Sequence, residues 1–500
     1  MEITVQTNNL YSLIFIKRLF KKKLMAKDLL KDKKFLWVTG GSGRRPLMTE
    51  LAKKLESTHN IDSYYLSFST FTEGLFDSFG ISQDKMVYIN YDAVLKEKDR
   101  KPDLDFLQKK EIEYGFKIFD IWNIYSCRYK ERTKIPYDNI LIRMEHLIKE
   151  IEVMVENIKP DYAFVVGISA FEGVVIYKML TSLGIEVIEL KHPRIPKRLT
   201  FNNNMDSSSW PLLIKEYDKL KQRDLNPEER KIAEEFIDTF GGKRFKSGSD
   251  IKRKVTLKSK FQKYKEFATV VLHRKRLPPS LKPWLWYPIK DRLLKYSSRF
   301  EQPQNGEKYV YFPLHIQPEA STSIFGKWFM DQPSLIESIA KSVPSNYKIY
   351  VKEHVLNYST RPSGFHKRIK QLPNVRLISP FVNSTKLSKH ASLILTITGT
   401  AGWESILMQK PVITFGDVFY NVFDEIKKVR DITKLTAAIQ EKLDTNIDKE
   451  KTLKFITAMY ASTFPGIATL PSDCQNVSIS DENLNNIVEA MQNYLQRIKS

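Results

Sequence analysis

The sequence predicts an α/β protein of two domains, each built on a parallel, doubly wound sheet. Its 500 residues exceed what one hydrophobic core usually supports. Strands alternate with helices twice, over residues 34–203 and again over 307–475, and this alternation is typical of parallel sheets. Hydrophobic residues make up 42% of the chain, which is enough for packed cores and too many for a disordered chain.

The first predicted domain, residues 34–203, opens with an apolar strand at 34–39 and a glycine-rich turn at 40–46. Leucines then recur at four-residue spacing, which predicts a helix with one buried face: Leu47, Leu51 and Leu55. An amphipathic helix and two more strands follow at 139–158, 162–166 and 185–190. Together these elements predict a Rossmann-like domain.

Residues 204–306 interrupt the alternation and are interpreted as an insertion and interdomain connector with helical parts. Between Lys243 and Arg276, 13 Lys or Arg residues stand against two acids, so 13 − 2 = +11 of the net charge of +22 lies there. Such a segment can bind anionic lipid, and the nearby Trp284 and Trp286 are residue types of membrane interfaces. A solvated connector is the equal alternative, and no nucleic-acid-binding motif is found.

The second predicted domain, residues 307–475, repeats the pattern with five strands. These begin near 309, 348, 375, 393 and 412, and helices separate them. Helices from about 433, 448 and 482 are expected to cover this domain, with residues 476–500 forming a C-terminal helix. The sequence therefore predicts a second Rossmann-like unit.

Several protein classes are excluded by composition. Cys127 and Cys474 are the two cysteines, which argues against a disulfide framework or a cysteine zinc site. Asp103 and Asp105 have the spacing of a metal-binding DxD motif but precede a helical stretch, so we interpret one of them as a helix cap. We expect no metal cofactor. Residues 1–33 form a basic amphipathic segment without an export signal, which predicts a cytoplasmic protein able to sit on the inner face of the plasma membrane.

Polar residues follow three predicted strands of the second domain, where parallel sheets usually bind ligands. Glycine and hydroxyl groups at the start of a helix suit a phosphate, although an ordinary capped helix has the same sequence features. The predicted nucleotide-binding residues are Gln317, Ser321, Lys352, His354, Thr398, Gly399, Thr400 and Glu404.

The same segments carry a resemblance to a known family. Residues 317–321, 352–354, 398–404 and 410–416 resemble the capsule polysaccharide biosynthesis proteins, which include Kdo transferases. That resemblance implies the GT-B architecture, in which two Rossmann-like domains face a cleft, a shape that UDP-sugar 2-epimerases share. A weaker similarity is to bacterial sialyltransferases and polysialyltransferases. Val355 replaces the proline of their His-Pro motif, and Thr398–Thr400 stand in place of their serine pair.

The resemblance implies a glycosyltransferase whose nucleotide-sugar donor, such as a CMP-activated acid sugar, binds the second domain. A lipid-linked or polysaccharide acceptor is expected on the first domain. The expected catalytic residues are Glu172, which with Gly173 matches half of an acid-acid-Gly motif, and His354 and Glu319. The expected substrate-binding residues are Gly41, Arg44, His192, Arg194 and Arg198.

Three other functions remain open at the level of sequence. A CDP-polyol phosphotransferase of the teichoic-acid type would use the same architecture. A UDP-sugar 2-epimerase would need its own set of carboxylates, which the sequence does not reveal. A non-catalytic polysaccharide assembly factor is compatible with the incomplete acid motif at Phe171–Gly173.

Overall fold

The computed structural model describes residues 28–39, 45–68, 80–90, 94–95, 100–128, 136–165, 171–241, 300–358, 361–468 and 479–500. Within these ranges the chain forms two sheets, each with its own helices, here called the first and second lobes. The predicted two-sheet α/β fold is confirmed. The basic segment at 243–276, together with Trp284 and Trp286, lies outside the described residues, so its predicted membrane role stays a prediction.

The first sheet has seven strands in the order β13-β6-β5-β4-β1-β2-β3. Strands β1 to β5 run parallel, while β6 pairs antiparallel with β5, and β13 pairs antiparallel with β6. The strands are β1 (Lys34–Thr39), β2 (Asp62–Ser67), β3 (Met86–Tyr88), β4 (Tyr162–Val165), β5 (Glu186–Lys191), β6 (Arg198–Asn202) and β13 (Phe464–Pro465).

The second sheet has six parallel strands in the order β12-β11-β10-β7-β8-β9. Because the chain reverses direction across the sheet between β7 and β10, the loops after these two central strands flank a crevice where ligands commonly bind. The strands are β7 (Tyr309–Pro313), β8 (Lys348–Lys352), β9 (Val375–Ile378), β10 (Leu393–Thr396), β11 (Val412–Thr414) and β12 (Lys427–Lys428).

Fifteen α-helices are described. In the first lobe and the link to the second they are α1 (Arg45–His59), α2 (Leu104–Tyr114), α3 (Ile118–Arg128), α4 (Tyr137–Ile158), α5 (Phe171–Ser182), α6 (Pro211–Lys221) and α7 (Pro227–Phe240). The rest are α8 (Ala320–Ser323), α9 (Gln332–Ser342), α10 (Phe365–Lys370), α11 (Ser384–His390), α12 (Thr400–Ile406), α13 (Leu435–Lys442), α14 (Lys449–Ala461) and α15 (Asp481–Lys499).

Asp103 caps α2, as the sequence predicts for one of the two aspartates. Its carboxylate accepts a hydrogen bond from the main-chain N–H of Phe106 at 2.9 Å. None of the described helices is long and apolar enough to cross a membrane.

The last helix packs on the first lobe, which corrects the expectation that it covers the second. Apolar residues of α15, such as Ile487 and Met491, lie in one core cluster with Trp37 of β1 and Phe201 of β6. Conversely, α6 and α7 pack against α14 and the second lobe, where Tyr217 lies in a core cluster with residues of the second sheet. The chain therefore crosses between the lobes twice, and each lobe depends on distant sequence.

The lobes also meet directly beside the loop that follows β7. Ile324 packs against the core of the first lobe, and Lys191 lies 5.7 Å from the ring centre of Phe325. The ammonium of Lys327 pairs with the carboxylate of Asp120 at 2.5 Å. These contacts place the β7 loop of the second lobe against the first.

Candidate active site

A buried histidine organises the loop after β7. The main-chain N–H of Thr398 donates to Nε2 of His315 at 3.1 Å, so the proton of the neutral ring is on Nδ1. Burial, together with the nearby Arg361 and His354, lowers the pKa of His315 to about 3. His315 is therefore a neutral acceptor that joins the β7 loop to the β10 loop.

The second buried group is an ion-pair cluster after β8. Both carboxylate oxygens of Glu353 accept from Arg361, at 2.8 and 3.0 Å, and Nε2 of His366 lies 2.6 Å from the same carboxylate. Burial raises the pKa of Glu353, but the hydrogen bonds with His366 and Arg361 outweigh this effect and lower the pKa to about 2. Arg361 also donates to the carbonyl of His315 at 2.8 Å, so the cluster holds two strand-end loops together.

His354 follows this cluster directly. Its Nδ1 accepts from the main-chain N–H of Leu356 at 3.2 Å, which puts the ring proton of the neutral form on Nε2. The neighbouring Asn357 donates to the carbonyl of Gln317 at 2.8 Å. The side chains of Asn357 and Arg361 thus connect the β8 loop to the β7 loop.

Two predicted ligands already bond to the protein. The Nζ of Lys352 is buried and donates to the carbonyls of Glu353 and Pro380 at 3.3 and 3.0 Å. The side-chain amide of Gln317 donates to the carbonyl of Met330 at 2.6 Å and accepts from Gln332 at 2.8 Å. Both groups therefore shape the loops in this structure, and their predicted contact with a nucleotide stays a prediction.

The loop after β10 lies between these elements. Thr398 donates from Oγ1 to the carbonyl of Ser321 at 3.0 Å, and the N–H of Gly399 donates to Oγ1 of Thr396 at 3.0 Å. A Cβ on Gly399 would lie 2.6 Å from that hydroxyl oxygen and 3.2 Å from Nε2 of His315, so the close approach requires glycine here. Thr400 is exposed at the first position of α12.

The acidic residues of this edge differ in exposure. Glu319 is exposed and accepts from the hydroxyl of Ser321 at 3.2 Å. Glu404 is buried on α12, and its negative charge acts on Arg194 of the first lobe and on Tyr420. Burial lowers the pKa of Arg194, and Glu404 opposes that effect. Arg194 of the first lobe therefore lies within electrostatic range of Glu404 in the second lobe.

The other first-lobe candidates belong to three different elements of the first lobe. Glu172 is half-buried in the first turn of α5, and His192 is exposed after β5. Arg198 is buried, and its guanidinium donates to Thr463 Oγ1 at 2.7 Å, to the carbonyl of Thr463 and to that of Tyr460 at 2.9 Å. Gly41 and Arg44 lie outside the described residues.

Sequence reasoning missed the residues that hold the site together. Glu353 stands inside one of the segments that carry the family resemblance and His315 lies two residues before another, so their place at strand ends was the available signal. Arg361 lies in a loop eight residues beyond Glu353, and nothing in its sequence context indicates the pairing. Among the described residues no group of three His, Cys, Asp or Glu side chains is arranged to hold a metal ion.

Two cavities adjoin the residues that follow β7, and one of them lies between the lobes. One is lined by α2, α5 and residues 204–206 of the first lobe and by Ile324, Phe325 and Asp417 of the second. The other is lined by second-lobe residues 324–338, 415–417 and 430–432, so the two cavities share those three residues. Neither contains His354 or Thr400. The cavities therefore lie beside the strand-end loops and do not include these two predicted nucleotide ligands.

Comparison with known proteins supports the resemblance. The profile of the family described as capsule polysaccharide biosynthesis protein matches residues 249–425, which include all three strand-end loops. The resemblance to that family is thus confirmed for this part of the chain. Protein FixF of Sinorhizobium fredii is 26% identical over 140 residues, a match that spans 26% of this chain and 32% of FixF.

Solved structures with similar chains have low identity. A beta Kdo 2,7 transferase, KpsC of Thermosulfurimonas dismutans, is 13% identical with a TM-score of 0.36, over 69% of this chain and 89% of that one. The UDP-GlcNAc 2-epimerase of Neisseria meningitidis is 14% identical with a TM-score of 0.27, over 85% of this chain and 98% of that one.

Proposed function

We propose that this protein is a nucleotide-sugar-dependent glycosyltransferase of capsule or related surface polysaccharide synthesis. The observation that carries the proposal is the meeting of three matched loops at one sheet edge, where Thr398 bonds to His315 and to the carbonyl of Ser321. Because the loops are fixed by buried hydrogen bonds, their outward groups are preorganised for a ligand.

The donor nucleotide binds through His354, Thr400 and the main chain near Gly399. The proton on Nε2 of a neutral His354 provides a hydrogen-bond donor for a phosphate oxygen, and the hydroxyl of exposed Thr400 provides another. This proposal includes no metal ion, because the hydrogen-bond donors of His354 and Thr400 bind the phosphate of the leaving nucleotide. A CMP-activated acid sugar is the proposed donor.

The reaction exchanges one bond to the sugar for another. The acceptor hydroxyl oxygen attacks the anomeric carbon, the bond from that carbon to the phosphate oxygen breaks, and the nucleotide leaves with the bonding electrons. Glu172 takes the hydroxyl proton, while His354 and Thr400 stabilise the negative charge on the departing phosphate. Glu319, an exposed carboxylate after β7, is a further catalytic candidate. Arg194 binds the anionic substrate beside Glu404.

Nucleotide binding tests the donor site. The double variant with His354→Ala and Thr400→Val removes two hydrogen-bond donors, so CMP affinity should fall about 10- to 100-fold by calorimetry. Leu356→Ala, in the same loop and exposed, is the matched control and should leave affinity unchanged. An unchanged affinity in the double variant contradicts the assignment. A thermal-shift panel of CMP, CDP, UDP, UMP and GDP identifies the donor nucleotide.

Turnover tests the role of Glu172. Glu172→Gln keeps the shape of the side chain but removes the base, so transfer should fall by about 10²- to 10⁴-fold while CMP affinity is retained. Glu156→Gln, at an exposed position of α4, is the control. Transfer above about a tenth of the normal rate contradicts the role. Parallel assays of donor hydrolysis, epimerisation and polyol-phosphate transfer separate the alternative activities.

A further inference from the structure

We propose that the cavity beside Trp328 binds a saccharide chain and is a subsite for the acceptor glycan outside the donor site. This inference rests on the proposed function, since it names where the acceptor extends. The cavity opens at the carboxyl edge of the second sheet and shares Ile324, Phe325 and Asp417 with the cavity between the lobes. The two cavities are therefore neighbours, and a chain whose end reacts between the lobes passes beside this one.

Trp328 is the main feature of the cavity. Trp328 is 80% exposed, although the burial of a tryptophan side chain is energetically favourable. The ammonium of Lys327 lies 5.0 Å from its ring centre, and the same ammonium is held by Asp120 of the first lobe. The ring is thus positioned by a fixed neighbour while most of its surface stays open to a ligand.

Polar groups beside the ring complete the chemistry of a saccharide site. Ser334 donates to the carboxylate of Asp331 at 2.5 Å, and Arg368 donates to both residues at 2.8 to 3.2 Å, which fixes the carboxylate as an acceptor. Arg430 and Asp431 also line the cavity. A pyranose ring has an apolar C–H face that stacks on an aromatic ring and a rim of hydroxyl groups that hydrogen-bond to such side chains.

The charge of the cavity argues against an anionic membrane as its ligand. Three aspartates, at 331, 417 and 431, and two cations, Lys327 and Arg430, line it. A surface of this balance does not attract anionic lipid, whereas it offers both donors and acceptors to hydroxyl groups. The concave shape also suits a chain better than a flat bilayer.

The test measures the fluorescence of Trp328 and the binding of glycans by the whole chain. The fluorescence difference between the wild type and Trp328→Tyr isolates the emission of this one among seven tryptophans. Array binding then uses immobilised bacterial capsular and lipopolysaccharide glycans. We expect the wild type to bind at least one glycan and that glycan to shift the Trp328 emission. Trp328→Ala should weaken binding at least tenfold, and Trp328→Tyr should retain it within about threefold.

Controls make the outcomes decisive. Phe119→Ala removes another exposed aromatic side chain, which does not line the cavity, and should bind glycan normally. CMP affinity should be unchanged in all three variants. Equal glycan binding by Trp328→Ala, no glycan binding by the wild type, or an emission shift caused by anionic vesicles or CMP instead of glycan overturns the subsite. If sugar transfer is absent but Trp328→Ala loses glycan binding, the proposed function fails and the subsite stands.

Discussion

Two buried arginines, one at the carboxyl edge of the second sheet and one in the first sheet, are stabilised in different ways. Arg361 is paired with a carboxylate, Glu353, and also bonds to the carbonyl of His315. Arg198 on β6 bonds to Thr463 and to main-chain carbonyls, and burial lowers its pKa to about 10. One cluster fixes loops within a lobe, whereas the other fixes the end of α14 to the first sheet.

The difference shows how buried charge serves distinct purposes. A paired charge in a low-dielectric interior holds its partners in one geometry but is strongly destabilising when one partner is removed. A buried guanidinium with neutral partners is destabilised by the loss of its hydration. Replacing it should therefore lower the free energy of unfolding by less than breaking a buried ion pair does. The following variants test that ranking, from the largest expected effect to the smallest.

Glu353→Gln should have the largest effect, because it leaves the buried Arg361 without its counter-charge. We expect a loss of about 3–5 kcal/mol in the free energy of unfolding at neutral pH, measured by urea denaturation. Glu337→Gln, which disrupts the exposed pair with Lys341, should change it by no more than about 0.5 kcal/mol. A loss for Glu353→Gln as small as that of this control would contradict the account of the cluster.

The pH dependence of stability should report the same carboxylate. Because the pKa of Glu353 falls from an ordinary 4.5 to about 2 on folding, its contribution is present above 4.5 and is lost as pH falls toward 2. The free energy of unfolding, measured by urea denaturation at several pH values in that window, should therefore fall more steeply with decreasing pH for the wild type than for Glu353→Gln. Parallel curves for the two proteins would show that Glu353 does not titrate as proposed.

Arg198→Met should cost less, about 2 kcal/mol, because it removes the guanidinium that donates to the buried carbonyl of Thr463 but relieves a buried charge. Thermal and urea unfolding would both measure the loss. Arg368→Met, at an exposed pair with Asp331, is the control and should remain within about 0.5 kcal/mol. A loss larger than that of Glu353→Gln would reverse the ranking.

Thr398→Val removes one hydrogen bond, from Oγ1 to the carbonyl of Ser321, and should cost about 1 kcal/mol. Thr445→Val loses a bond of similar length at an exposed position, where water replaces the donor, and should cost much less. Urea denaturation of the two variants compares them. Equal losses would indicate that the β7–β10 connection is no stronger than a surface turn.

Asp120→Asn should have the smallest effect, at most about 1 kcal/mol, because the pair with Lys327 is about one-third exposed. A double-mutant cycle with Lys327→Met, repeated at high salt, measures the coupling between the lobes. We expect a small coupling that falls with salt. A coupling above that of Glu353 with Arg361 would make the lobe contact, and not the buried cluster, the stronger connection.

The class of fold follows from the amino-acid sequence, which also predicts where the candidate site lies. Continuous apolar strand segments that alternate with helical segments of period 3.6 specify parallel sheets, and ligands bind where the strands of such sheets end. The three loops after β7, β8 and β10 were predicted for this reason, and the structure joins them through residues such as Thr398 and Asn357.

The tertiary structure alone decided how distant segments pair. Arg361 finds Glu353, Arg198 bonds to residues about 260 positions later, and α15 packs on the first sheet instead of the second. Local pattern carries no information on these contacts, because an amphipathic helix fits any apolar surface and a guanidinium any acceptor. The surface that the helix covers and the acceptor that the guanidinium meets depend on how the chain crosses between the lobes, which is a property of the whole packed molecule.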